Sequence, residues 1–198
     1  DMETIGVAYF DAPVTGEVQR GSEGTLVTMV GGDSDRFTEY AWIPSAFSRS
    51  VVRGGASGNG ALLKTLNNMI ANVTAMASME GIILARAAGI DEDVLLEVFN
   101  SGVARTHFSS VRYPNHIATG AFDHGFPLGL VNKDLGIAAE SADMLHADPI
   151  VFRAAHKLWN AALDDFGPKG DTTRVIDVVA RQTVGRPWSE LATHVESR

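Results

Sequence analysis

Lys64 stands in the run Gly58-Asn59-Gly60-Ala61-Leu62-Leu63-Lys64-Thr65-Leu66-Asn67-Asn68, and no other charge follows it until Glu80. An ionisable amine heading an uncharged, helix-prone stretch has either a partner or a chemical task. Asn68 lies four residues on, so a helix puts both side chains on one face, and Asn72 extends that track by another turn. An ammonium that can give up a proton, beside an amide that can orient a hydroxyl or carbonyl, suits chemistry on a small oxygenated substrate. Spacing alone leaves a second reading open. Lys64 can snorkel to solvent while the asparagines serve as hydrogen-bonded helix contacts.

Other candidate groups read as structure. Gly55-Ala-Ser-Gly58-Asn-Gly60 is not a Walker loop, because that pattern needs Lys directly after its last glycine and three residues intervene here. It is not a dinucleotide fingerprint either, since the third glycine is missing. Its glycines do let backbone come close to an anion at a helix N-terminus, so a carboxylate or phosphate is expected there. The six histidines (His107, His116, His124, His146, His156, His194) show no metal-ligand spacing, and no metal is expected. Asp33-Ser-Asp35, Asp91-Glu-Asp93 and Asp164-Asp165 read as caps and solvated faces. Lys133-Asp134, inside a helical pattern, reads as an exposed ion pair unless something else gives it a role.

The elements that must position Lys64 fall into two kinds. Up to about residue 56 the pattern is β/α. Val7 to Phe10 and Thr25 to Val30 are apolar β-prone runs, Asp33 is a cap for a helix through Phe37 and Tyr40 disturbed at Pro44, and Ser50 to Arg53 is a last short strand. From Ser57 to Ala88 the spacing predicts one helix of about thirty residues, near 45 Å. It is apolar nearly all round and so needs sheathing by other elements. Gly89 stops it and Asp91 caps the next helix, through Asn100. Helical patterns follow at 109–118, 128–146, 150–166 and 172–184. The β/α piece is too small to stand alone, which points to a fragment or to first strands supplied from elsewhere.

Bulk properties narrow the function classes. The 198 residues are 45% hydrophobic and 20% charged, enough for a sizeable core. A net charge of −8 argues against a nucleic-acid surface. The chain has no cysteine, hence no disulfide or thiolate chemistry, and no basic n-region with an apolar run. The uncharged segment Thr65 to Met79 is too short and too polar to span a bilayer. A soluble, cytoplasmic protein is expected, with neither nucleic acid nor membrane as partner.

Three ordered motifs then bear on Lys64. Phe10-Asp11-Ala12-Pro13-Val14-Thr15-Gly16, with Gly24-Thr25-Leu26 and Met29-Val30-Gly31-Gly32 after it, resembles the substrate-binding signature of the β-hydroxyacid dehydrogenase family. That family includes 3-hydroxyisobutyrate and tartronate-semialdehyde reductases and is related to 6-phosphogluconate dehydrogenase. Gly58-x-Gly60-x-x-x-Lys64-x-x-Asn67-Asn68 is similar to its catalytic signature. Phe126, Leu130 and Lys133-Asp134-Leu135 are similar to its cofactor-facing signature. Order and spacing agree from about residue 7 to residue 185.

The resemblance implies a fold of α/β followed by all-α. The last strands of a Rossmann-type domain would occupy residues 1–56, and a long interdomain helix would lead into a helical C-terminal domain over residues 57–198. It implies an NAD(P)-dependent oxidoreductase interconverting a small 3-hydroxy acid and its semialdehyde by hydride transfer, with NAD or NADP as cofactor. Lys64 would be the general acid/base and Asn68 would orient the reacting oxygen. Thr15 and the amide of Gly16 would bind the substrate carboxylate. Lys133 would lie against the nicotinamide end, with Phe126 nearby. A homodimer or homotetramer through the helical domain is also implied. Three departures qualify the match. Glu17 replaces a glycine of the first signature, which should alter substrate choice. Asn67 and Ala71 stand where the decarboxylating branch carries a histidine and an acid, favouring simple hydride transfer. No GxGxxG unit precedes Asp1, so the chain by itself is expected to be inactive. The competing readings are a non-catalytic helical dimerisation or binding module and an imine-reducing relative, the latter disfavoured by Lys64.

Overall fold

The structure, a computed structural model, describes residues 2–191, leaving aside the side chains of Glu3, Glu17, Val18, Gln19 and Ser34. His194 lies outside the described residues. The chain forms two compact units, Asp1–Asn67 and Asn68–Arg198.

In the first unit, β1 (Val14–Thr15), α1 (Glu17–Ser22), β2 (Leu26–Gly31), α2 (Ser34–Tyr40), α3 (Trp42–Ser45) and β3 (Ser48–Gly55) precede the start of a long helix, α4 (Asn59–Ala87). The sheet order is β1-β2-β3, with β1 antiparallel and β3 parallel to β2. A parallel pair joined through helices is the crossover expected from the tail of a doubly wound sheet. Thr28, Met29 and Val30 at its centre are buried in succession, as a strand covered on both faces requires. Asp33 caps α2 by accepting from the amides of Asp35 (2.8 Å) and Arg36 (3.3 Å).

The run Val7 to Phe10 does not form the expected strand. The flank of β2 is engaged instead by Asp11, which exchanges two backbone hydrogen bonds with Gly31, by the Pro13 carbonyl, which accepts from Met29, and by β1. Phe10 serves as a packing residue, its ring 5.4 Å from Phe37 in an edge-on contact.

The second unit is helical: the rest of α4, α5 (Glu92–Ser101), a π-helix (Phe108–Ile117), α6 (Leu128–Met144), α7 (Ile150–Phe166) and α8 (Val175–Val184). Gly89, at φ +74°, ends α4 and Asp91 caps α5 through the amides of Asp93 and Val94. Residues 108–117 take the wider i→i+5 ladder, closed by Ala118 N donating to Tyr113 O. Pro114 within it would clash with an α-helical carbonyl one turn back, which the wider turn relieves, and the Ser109 carbonyl that its missing N–H leaves without a ladder partner accepts from Asn100 Nδ2 at 3.1 Å. The core gathers Met76, Met79, Ile82 and Ile83 of α4 with Tyr113, Leu128, Leu135, Trp159, Ile176 and Val179.

By length and composition α4 could cross a membrane, which the shorter segment Thr65 to Met79 taken alone does not suggest. Ala75, Met76, Met79, Ile82 and Ile83 pack one side of it into the core of the helical unit. The expected sheathing is incomplete, however. Leu66, Ile70 and Leu84 are exposed, because other elements of this chain cover only part of the helix circumference.

Candidate active site

The first turn of α4 has no acidic residue of its own and begins after Gly58, which has no side chain with which to cap. The chain supplies the cap from far upstream. One carboxylate oxygen of Asp11 accepts from Gly58 N and the other from Ala61 N, both at 2.7 Å. These are the two amides that a capping box would satisfy with two side chains. An anion does sit at the glycine-rich helix start, as expected, but it is the protein's own carboxylate rather than a ligand carboxylate or phosphate. Gly60 makes this approach possible, since a Cβ on it would stand 2.6 Å from Met29 O and 2.8 Å from Asp11 O.

Lys64 follows one turn later and is half-buried. Asn67, three residues on and so on the same side of the helix, reaches Thr15 through a long hydrogen bond, Nδ2 to Oγ1 at 3.5 Å. Thr15 ends β1, and Gly16 follows at φ +145°, where a Cβ would meet the Leu26 side chain at 2.9 Å. Only glycine fits that turn. Within the first unit, then, the Thr15-Gly16 loop and the first turns of α4 are brought together. Glu17 opens α1, and its side chain lies outside the described part.

In the second unit, Asn68 Nδ2 donates to Asp134 Oδ2 at 2.9 Å, and Lys133 Nζ stands 3.5 Å from Asp134 Oδ1. One carboxylate thus joins two of the residues singled out by sequence. Asn72 turns its amide back on the Asn68 carbonyl at 2.8 Å, so the third member of the polar track is a helix contact. Phe126 and Leu130 are partly exposed, and the loop carrying Phe126 is fixed by Thr172 N donating to Phe126 O and by Gly125 N donating to Asp171 Oδ2.

Among the described residues no group of three or more His, Asp or Glu side chains converges to hold a metal. The structure does pair two histidines that spacing does not connect. The His116 and His124 rings are 5.2 Å apart, and the hydrogen bond from His116 holds the Asp123 carboxyl below its ordinary range. A cavity of about 520 Å³ in the second unit is lined by Gly89 and the Asp91-Glu92-Asp93 run and touches none of Thr15, Gly16, Lys64, Asn68, Phe126 or Lys133. Both of its arginines have acidic neighbours, Arg86 standing 3.7 Å from Glu92 and stacked 4.0 Å over Trp188, and Arg174 3.5 Å from Asp177.

Residues 58–179 match the family described as "NAD-binding of NADP-dependent 3-hydroxyisobutyrate dehydrogenase", and residues 1–55 match "NAD binding domain of 6-phosphogluconate dehydrogenase". The chain belongs to the β-hydroxyacid dehydrogenase family. An uncharacterized oxidoreductase of Shewanella frigidimarina is 33% identical to this family member over 141 residues, covering 71% of the chain and 48% of the relative. The mitochondrial 3-hydroxyisobutyrate dehydrogenase of mouse is 27% identical over 188 residues, 92% of the chain and 56% of that enzyme. Among solved structures, the Mycobacterium tuberculosis 3-hydroxyisobutyrate dehydrogenase with L-serine superposes with a TM-score of 0.79 at 27% identity, over 88% of this chain and 62% of that one. The chain therefore spans about half the length of the curated relatives it matches. The α/β-then-helical architecture of the dehydrogenase family is the one observed.

Proposed function

We propose that the whole protein is an NAD(P)-dependent oxidoreductase that interconverts a small 3-hydroxy acid and its semialdehyde. The observation that carries this reading is the meeting of the Thr15-Gly16 loop with the first turns of α4, one turn from a half-buried lysine. A hydroxyl and a backbone amide suit a carboxylate, and a lysine beside them suits the oxygen of the reacting carbon. The bound nicotinamide would supply or accept the hydride. Lys64 would give its proton to the carbonyl oxygen in reduction and take the hydroxyl proton in oxidation. Thr15 and Gly16 would hold the substrate carboxylate and Asn68 would orient the reacting oxygen. Lys133 would hold the cofactor's nicotinamide end. The exposed Lys133 ammonium, tempered by Asp134 and with exposed apolar Leu130 three residues before it on α6, fits a partly apolar, partly anionic cofactor. Residues 1–56 would be the Rossmann-type part and residues 57–198 the helical domain. A homodimer or homotetramer would cover the exposed Ile70 and Leu84 of α4.

The test is NAD(P)H oxidation with three- and four-carbon semialdehydes. The whole protein is expected to turn over at least one of them, whereas residues 1–198 alone are expected to be inactive. A whole protein that binds the cofactor yet consumes no semialdehyde would favour the non-catalytic module. Asp134→Ala provides a second check. Freeing both Asn68 and Lys133 is expected to lower kcat/KM about tenfold, as loss of charged hydrogen bonds at a partly exposed site does. Steady-state kinetics with both substrates at wild-type values would remove Asp134 from the account.

A further inference from the structure

We infer that Asp11 is a positioning residue for the proton transfer, fixing the place of Lys64 through the first turn of α4. The inference rests on the reading of Lys64 as general acid/base.

Three observations meet at this carboxylate. Its two oxygens take the amides of Gly58 and Ala61, at sequence separations of 47 and 50 residues, so the helix start is tied to a distant point of the chain. That point is itself rigid, because Asp11 N donates to Gly31 O at 3.2 Å and Asp11 O accepts from Gly31 N at 2.9 Å on the central strand. Two glycines leave room for the carboxylate. A Cβ on Gly31 would meet Asp11 Oδ1 at 2.5 Å, and one on Gly60 would meet Asp11 Oδ2 at 2.7 Å. The site is built around an anion, and Lys64 lies three residues beyond Ala61, under one turn away.

Two physical consequences follow for Lys64. An uncapped first turn frays, and small displacements of a proton donor lower rates far more than they lower binding. The Asp11 charge also offsets the positive end of the helix dipole, which otherwise disfavours an ammonium so near the N-terminus. A side chain that never touches substrate can thus act on the chemical step.

The experiment compares Asp11→Asn, Ala61→Pro and Lys64→Ala with wild type in the whole protein. Asp11→Asn keeps the shape but removes the charge and one of the two acceptors. Ala61→Pro deletes one amide donor from the other side, in the first turn, where proline is tolerated. Both are expected to lower kcat per folded site by about ten- to a hundredfold, with cofactor KM within about twofold of wild type. The solvent deuterium isotope effect on kcat is expected to rise as proton transfer becomes limiting. A purely structural cap would change the folded fraction and leave kcat per folded site and the isotope effect where they were, which overturns the inference. Should Asp11→Asn fail to fold, the same readouts on Ala61→Pro decide it. The Lys64→Ala arm separates the two levels: its normal turnover would sink the acid/base reading itself, whereas its loss beside a wild-type Asp11→Asn sinks only the role of Asp11.

Discussion

Lys64→Ala in the whole protein is expected to lower kcat/KM for semialdehyde reduction by about a thousandfold, within the range that a positioned general acid supplies. Cofactor KM and thermal midpoint are expected to stay near wild type, because Lys64 is only half-buried and sits on a helix that alanine favours. Lys64→Arg should not rescue. A guanidinium keeps its proton at every working pH and its planar fork cannot stand where a compact ammonium stood. Lys64→Met, which keeps the aliphatic stem, separates packing from proton transfer: it should be as stable as wild type and as inactive as alanine. Retention of a tenth or more of wild-type turnover in any of the three would remove Lys64 from the chemistry.

What sequence can foresee here is local. Asp33, Gly89 and Asp91 announce their helix ends because a cap and the backbone groups it satisfies, amides for the two aspartates and a carbonyl for the glycine, lie within four residues of one another. Lys64 stands out because its charge contradicts the apolar stretch it heads. The contacts that organise the site are not local. Asp11 reaches 47 residues to Gly58, Thr15 meets Asn67 across 52, and Asn68 meets Asp134 across 66. No periodicity encodes such pairs. For that reason spacing gives Asn67 no partner and leaves Lys133-Asp134 as a surface ion pair, and only the family resemblance attaches either to the site. The glycine-rich helix start is legible by half: its chemistry demands an anion, but nothing in the local run says that Asp11 provides it. Val7 to Phe10 misleads for the opposite reason. Its β-prone composition is real, yet the β2 flank is already engaged by Asp11, Pro13 and β1.

The second large effect is expected from Gly60→Ala, and its sign runs against helix propensity. A glycine inside a helix costs about 0.5–1 kcal/mol relative to alanine, so propensity alone predicts a gain. Gly136, in the interior of α6 with nothing within 4 Å of where a methyl would stand, should show that gain on substitution by alanine. Gly60 should not. Its added methyl would press on Met29 O at 2.6 Å, Asp11 Oδ2 at 2.7 Å and Asp11 O at 2.8 Å, and two of these atoms are backbone of the sheet that cannot rotate away. Relief requires the helix start to lift from β2, which breaks the Asp11 bonds to Gly58 and Ala61 as well. Overpacking of this kind costs about 2–3 kcal/mol, which outweighs the propensity term. Denaturant midpoints of the whole protein should therefore move in opposite directions for Gly136→Ala and Gly60→Ala, and the latter should also lose turnover through displacement of Lys64. Equal stability of the two variants would mean that α4 can shift away from β2 freely, and that its close seat on the sheet does not fix the lysine.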